Sequence, residues 1–110
     1  MTDRDFDITW NIEADNLLRR RGNYMRDLIR TEFERNPRKD ALLFDRNCYV
    51  TPVADDRYSV VWRFNPLRRI AEVSAVVPTH FGPGEDKRSL KERITSIVFQ
   101  ETGGKVNLAR

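Results

Sequence analysis

The stretch Arg57-Tyr58-Ser59-Val60-Val61-Trp62-Arg63-Phe64 alternates its side chains with the period of a half-buried strand. Tyr58, Val60, Trp62 and Phe64 fall on one side, and Arg57, Ser59, Val61 and Arg63 on the other. A second run, Ile70 to Val77, follows a break at Asn65-Pro66-Leu67 and reads as the returning strand of a hairpin. A loop from Asn65 to Arg68 sets Trp62 opposite Ala71, Val60 opposite Val73 and Tyr58 opposite Ala75, so that apolar residues share one face. A slip of one residue would put Trp62 against Glu72 and bury a carboxylate with no evident partner, so burial selects the first register. The opposite face then carries Arg57, Ser59, Arg63, Glu72 and Ser74. His80 has the same parity just beyond Pro78, which predicts a polar sheet face on which the single histidine meets two arginines.

Working outward, Phe6 to Trp10 alternates as a strand, and Asn11 caps a short helix that runs to about Arg20. Gly22 interrupts it. From Asn23 the residues Tyr24, Met25, Leu28, Ile29 and Phe33 recur at helical spacing, and Asn36-Pro37 ends this second helix because the residue before proline is pushed out of the helical region. Ala41 to Phe44 is a short extended piece, and Cys48 to Val53 a strand that Pro52 confines to an edge or a bulge. Asp55-Asp56 marks a turn. A last helix from about Asp86 to Gln100 is expected from the Ser89-x-x-Glu92 capping pattern, the apolar Leu90, Ile94, Ile97 and Val98, and the stop at Gly103-Gly104. Together these elements predict an α+β domain occupying residues 1–110: a small antiparallel sheet, two N-terminal helices on one face, and a short C-terminal helix. Residues 104–110 are a candidate flexible tail, with Tyr58, Val60, Trp62, Val73 and Ala75 expected to face Leu28, Ile29 and Phe33.

The 110 residues are enough for one modest core. No apolar run approaches the roughly 18 residues of a membrane span, and the acidic start MTDRDFD is unlike a secretory signal. A cytoplasmic protein without a membrane partner is expected. One cysteine, Cys48, and one histidine, His80, exclude a disulfide and the usual Cys/His zinc sites. No metal or cofactor is expected, although a carboxylate site for a hard cation is not excluded by this count. The 20 Lys and Arg against 17 Asp and Glu leave a net charge of +3, gathered in four short groups: Arg19-Arg20-Arg21, Arg38-Lys39, Arg68-Arg69 and Lys87-Arg88. Arginine pairs of this kind suit phosphates or an acidic protein, the alternative being an ordinary solvated face. Arg19, Arg20, Arg21, Arg68, Arg69, Lys87 and Arg88 are the candidate nucleic-acid-binding residues.

The order strand, two helices joined at a glycine, an Asn-Pro-Arg exit, antiparallel strands and a last helix resembles the RelE/ParE superfamily of toxin-antitoxin toxins. The closest pieces are Leu17-Leu18-Arg19-Arg20-Arg21-Gly22, Glu34-Arg35-Asn36-Pro37-Arg38, Cys48-Tyr49-Val50 and the central strand Arg57 to Phe64, spanning about residues 6 to 82. The resemblance implies a RelE-like fold, a cognate antitoxin protein as partner, and one of two activities. RelE-like members are ribosome-dependent messenger RNA endonucleases, and ParE-like members act on DNA gyrase. Several positions depart from the RelE pattern: Val50 and Pro52 stand where it has lysines, Ser59 where it has an arginine, and no tyrosine occurs between Gly82 and Gln100. His80 falls near the strand end where RelE-like enzymes place an arginine or, in some branches, a histidine.

RNA cleavage through the 2′-hydroxyl needs a base, cations for the charge of the phosphorane, and an acid for the leaving 5′-oxygen. An imidazole titrating near about pH 6.5 makes His80 the candidate base or acid, with Arg57 and Arg63 supplying charge and Glu72 orienting the histidine. Trp10 and Tyr49 are open as base-stacking residues, whereas Tyr58 and Trp62 read as core. Three functions follow in order of preference: a RelE-like ribonuclease, a ParE-like inhibitor of DNA gyrase, and a non-catalytic RelE-fold module that binds protein or RNA.

Overall fold

The structure is a computed structural model and describes residues 6–45, 47–79 and 86–108. The described elements run β1 (Asp7–Trp10), α1 (Ile12–Arg19), α2 (Asn23–Arg35), β2 (Leu42–Asp45), β3 (Cys48–Val53), β4 (Tyr58–Asn65), β5 (Ile70–Pro78) and α3 (Lys87–Glu101). The strands form one sheet in the order β1-β5-β4-β3-β2. Strands β2 to β5 are an antiparallel meander, and β1 joins β5 in parallel, so the sheet is mixed. The parallel pair arises because the chain leaves β1 through α1 and α2 before the meander begins.

Local chemistry sets the element ends. Asn11 caps α1 by accepting the Ala14 N–H at 2.9 Å. Gly22 takes φ 87°, a left-handed value open to glycine, and α2 starts directly after it. Pro52 lies on β3 beyond Val50, where pairing with β2 stops, so its missing N–H removes no bond on that side. Helix α3 starts where expected, with Asp86 itself as the cap accepting from the Ser89 N–H, so that Ser89 and Glu92 lie inside the helix.

The hairpin register departs from expectation in two ways. Asn65 pairs with Ile70, because the Asn65 side chain accepts the Leu67 and Arg68 N–H groups and closes the turn one residue later. The register therefore moves by two residues: Trp62 faces Val73 instead of Ala71, and Phe64 faces Ala71. A shift of two keeps each side chain on its expected face. Then the pairing slips between Trp62–Val73 and Val61–Ala75, leaving Ser74 as a bulge residue. Beyond the bulge the faces exchange, so Val60 pairs with Val76 and Tyr58 with Pro78.

Two cores result. On one face Val60, Trp62, Val73 and Val76 pack with Ala14 and Leu18 of α1 and Ile29 and Phe33 of α2. On the other, Val61, Ala75, Val77, Cys48 and Val50 pack under Leu90, Ile94 and Val98 of α3, with Leu17 of α1 at the border. Ala75 thus lies on the α3 side and not against α2. The face expected to be polar is a second apolar core in its middle, where Ser59 and Val61 are fully covered. Val106 and Leu108 also pack here, so the segment anticipated as a flexible tail has apolar anchors as far as Leu108. None of the described helices is long and apolar enough to cross a membrane.

Candidate functional site

Arg57 sits on the turn that leads into β4. The turn is tight: Ala54, Asp55 and Asp56 all take positive φ of 54° to 64°. It is held by the Ala54 N–H, which donates to Glu32 Oε2 at 3.1 Å, and by Arg57, whose backbone N–H and Nε both donate to the Ala54 carbonyl. The guanidinium is therefore oriented by its own turn. Across the sheet, the Thr79 N–H donates to the Arg57 carbonyl at 3.0 Å, and the Thr79 and Ser59 hydroxyls share a buried hydrogen bond of 2.6 Å. This pins the end of β5, from which the chain continues into His80.

Arg57, Pro78, Thr79, Arg93 and Ile97 line an open hollow of about 450 Å³. Its described charged lining consists of two arginines. Arg93, which sequence reasoning missed, comes from α3. Its neighbours in the spacing Arg93, Ile97 and Glu101 form a stripe beside the buried Leu90, Ile94 and Val98. Glu101, at the end of that stripe, accepts from Arg21 at 3.3 Å, and Arg21 lies over the Tyr58 ring at 5.2 Å.

The remaining expected site residues are not gathered there. Arg63 pairs with Glu72 across β4 and β5 near the hairpin turn, at the far end of β4 from Arg57. At about 3.3 Å per residue the two arginines are roughly 20 Å apart along the strand, and the second core and α3 cover the sheet between them. A shared parity therefore does not bring these two arginines together. His80 lies outside the described residues. Of the basic groups, Arg21 is drawn inward with a side chain 16% exposed. Arg19 pairs with Asp15 at 3.0 Å, and Arg88 lies 3.9 Å from Glu92. Arg20, Arg68 and Arg69 are exposed on connections at different parts of the surface, and Lys87 opens α3. Arg38 lies over Phe6 and Phe64 at 4.9 and 5.5 Å. Neither open aromatic is a vacant platform: Trp10 donates to Glu34 and lies under Arg30, and Tyr49 stacks on Trp62 at 4.7 Å.

The same mixed sheet with paired N-terminal helices occurs in solved toxin structures. Isolated E. coli RelE superposes with a TM-score of 0.53 at 18% identity, covering 84% of this chain and 98% of RelE. A double arginine-to-alanine mutant of E. coli RelE in the free state gives 0.53 at 18%, over 81% and 97%. The chain has the RelE fold. A chain of the RelBE2 toxin-antitoxin complex from Mycobacterium tuberculosis also gives 0.53, at 11% identity, over 69% of this chain and 98% of that one. No family model and no curated protein matches the sequence. The RelE-like likeness is thus one of architecture, with few shared residues.

Proposed function

We propose that this chain is the toxin of a toxin-antitoxin pair and that it cuts messenger RNA on the ribosome, with the scissile phosphodiester seated in the hollow at Arg57. The observation that carries this reading is the hollow itself: an open, arginine-lined site at the end of β5 in a RelE-fold protein. An open surface of this kind suits a polymer backbone better than an enclosed small molecule. In the reaction, a base takes the proton of the 2′-hydroxyl, its oxygen attacks the adjacent phosphorus, and the 5′-oxygen leaves as it gains a proton. A 2′,3′-cyclic phosphate and a 5′-hydroxyl end result. Arg57 neutralises the phosphorane charge, and its anchoring on the Ala54 carbonyl means that little reorganisation is needed. Proton transfer falls to His80, since arginine, proline, threonine and isoleucine do not exchange protons near neutral pH. Arg63 and Glu72 stand outside this mechanism. A small antitoxin protein covering the hollow would silence the activity, a partnership supported by the solved RelBE2 complex.

The absence of a proton-transfer group among the described lining residues supports a second reading, in which the chain binds and inhibits a target such as DNA gyrase without cutting anything. Primer extension on ribosome-bound and free messenger RNA separates the two. The wild type is expected to cut ribosome-bound RNA, with His80→Ala lowering the rate by roughly 10²- to 10⁴-fold and Arg57→Ala also lowering it. Intact RNA in both arms would overturn the nuclease reading, and inhibition of gyrase supercoiling in parallel would establish the second.

A further inference from the structure

The turn before β4 holds a conformation that its residues do not favour. Ala54, Asp55 and Asp56 take φ of 54°, 56° and 64°, three successive left-handed residues with no glycine among them. Aspartate tolerates this region through its short polar side chain, whereas alanine has no such compensation. Ala54 is the residue that Glu32 binds: its N–H donates to Glu32 Oε2 at 3.1 Å. Ala54 is 2% exposed, so water is a poor substitute for that carboxylate. Glu32 itself is placed by α2, whose Ile29 and Phe33 are locked in the first core. We propose that Glu32 is a positioning residue for Arg57, acting from α2 through the strained turn. This rests on the reading of Arg57 as the group that neutralises the phosphorane charge.

The Ala54 carbonyl is the pivot. It accepts the Arg57 backbone N–H at 3.2 Å and the Arg57 Nε–H at 3.1 Å. The Thr79 N–H donates to the Arg57 carbonyl at 3.0 Å, so the main chain of Arg57 is tied to β5 as well. The guanidinium has no such second tie among the described residues and takes its direction from Ala54. If the Ala54–Asp55 peptide rotates towards the right-handed region that these residues prefer, its carbonyl turns away and the guanidinium is released while the sheet stays formed. Glu32 opposes that rotation, because its bond to the Ala54 N–H holds the near side of the turn against α2. A charge already in place needs no reorganisation as the phosphorane forms, so releasing Arg57 should slow the chemical step more than it weakens substrate binding. The carboxylate therefore acts at a distance: it is not among the described residues lining the hollow.

The test reads the Arg57 side chain directly, by heteronuclear NMR of its Nε–H, assigned through its loss in Arg57→Lys, with circular dichroism confirming the fold of each variant. Glu32→Ala is expected to speed solvent exchange of that proton by roughly three- to tenfold, the worth of one hydrogen bond. The backbone amides of β4 and β5 should keep their protection. Glu32→Gln retains an acceptor oxygen at the same reach and should restore most of the effect, and Thr31→Ala, an exposed neighbour on α2, should change nothing. On ribosome-bound messenger RNA, Glu32→Ala should lower kcat by a similar factor and move KM by less than about twofold. Unchanged exchange at Arg57 in Glu32→Ala, an equal acceleration in Thr31→Ala, or a loss of activity carried wholly by KM would each overturn the proposal. Should exchange follow Glu32 as expected while the wild type cuts no RNA, the positioning stands and the nuclease reading falls. Full cleavage by a Glu32→Ala variant with Arg57 still protected would do the reverse.

Discussion

Trp62 concentrates the interactions of the first core. It is fully buried, stacks on Tyr49 and Phe6, meets Phe33 edge-on, and donates its indole N–H to Thr51 Oγ1 at 2.9 Å. The Thr51 hydroxyl in turn donates to the Pro37 carbonyl, linking β4 through β3 to the exit of α2. Trp62→Ala should cost about 3 to 5 kcal/mol from lost packing. Thr51→Val keeps the volume and strands two buried polar groups, so a cost of about 1 to 3 kcal/mol is expected. In urea unfolding, Thr51→Val should cost much less in a Trp62→Phe background, because the indole donor is then already gone. Equal costs in both backgrounds would show that the chain of hydrogen bonds does not act as a unit. The identity of Trp62 as core was legible from alternation alone. The part played by Thr51 was not, since a threonine in a strand carries no sign of what its hydroxyl reaches.

At the scale of elements, the bulge at Ser74 decides which residues each face receives. Without it Ala75 and Val77 would continue on the face of Val73 and leave α3 with a poorer surface. Deleting Ser74 is expected to abolish cooperative unfolding followed by tryptophan fluorescence, whereas Ser74→Ala should shift stability by no more than about 0.5 kcal/mol. A deletion variant as stable as the wild type would mean that the slip does not allocate the faces. The sequence did hold a signal for two-sided burial. Val60-Val61-Trp62 and Ala75-Val76-Val77 break the apolar-polar alternation, and all six side chains are 0 to 1% exposed. Continuous apolar runs are what strands covered on both faces require. Strict alternation led instead to the expectation of a polar face joining Arg57 to Arg63.

For the molecule as a whole, the contact between Arg21 and Glu101 fastens the α1–α2 junction to the end of α3 across the start of β4. The bridge is partly exposed on the Glu101 side and the Arg21 Nε is buried without an acceptor, so its value lies largely in the stem and ring packing. Arg21→Ala is expected to cost about 1 to 2 kcal/mol and, by amide hydrogen exchange, to speed opening of α3 while β4 and β5 keep their protection. Uniform acceleration, or none, would deny α3 a separate opening and weaken the view that the hollow depends on its docking. The amino-acid sequence by itself determined the order of elements, their ends to within a residue or two, and Ile29 and Phe33 as the core of α2, whereas Tyr24, counted on the same face, is 78% exposed. These follow from periodicity, capping and proline chemistry, all of which act over a few residues. Only the tertiary structure decided the register, the exchange of faces at Ser74, the seat of α3 and the placing of Arg93 and Arg57 on one hollow. A turn hydrogen bond and a one-residue slip are local in energy, yet their consequence for burial depends on a helix that enters the chain some ten residues after the sheet is complete.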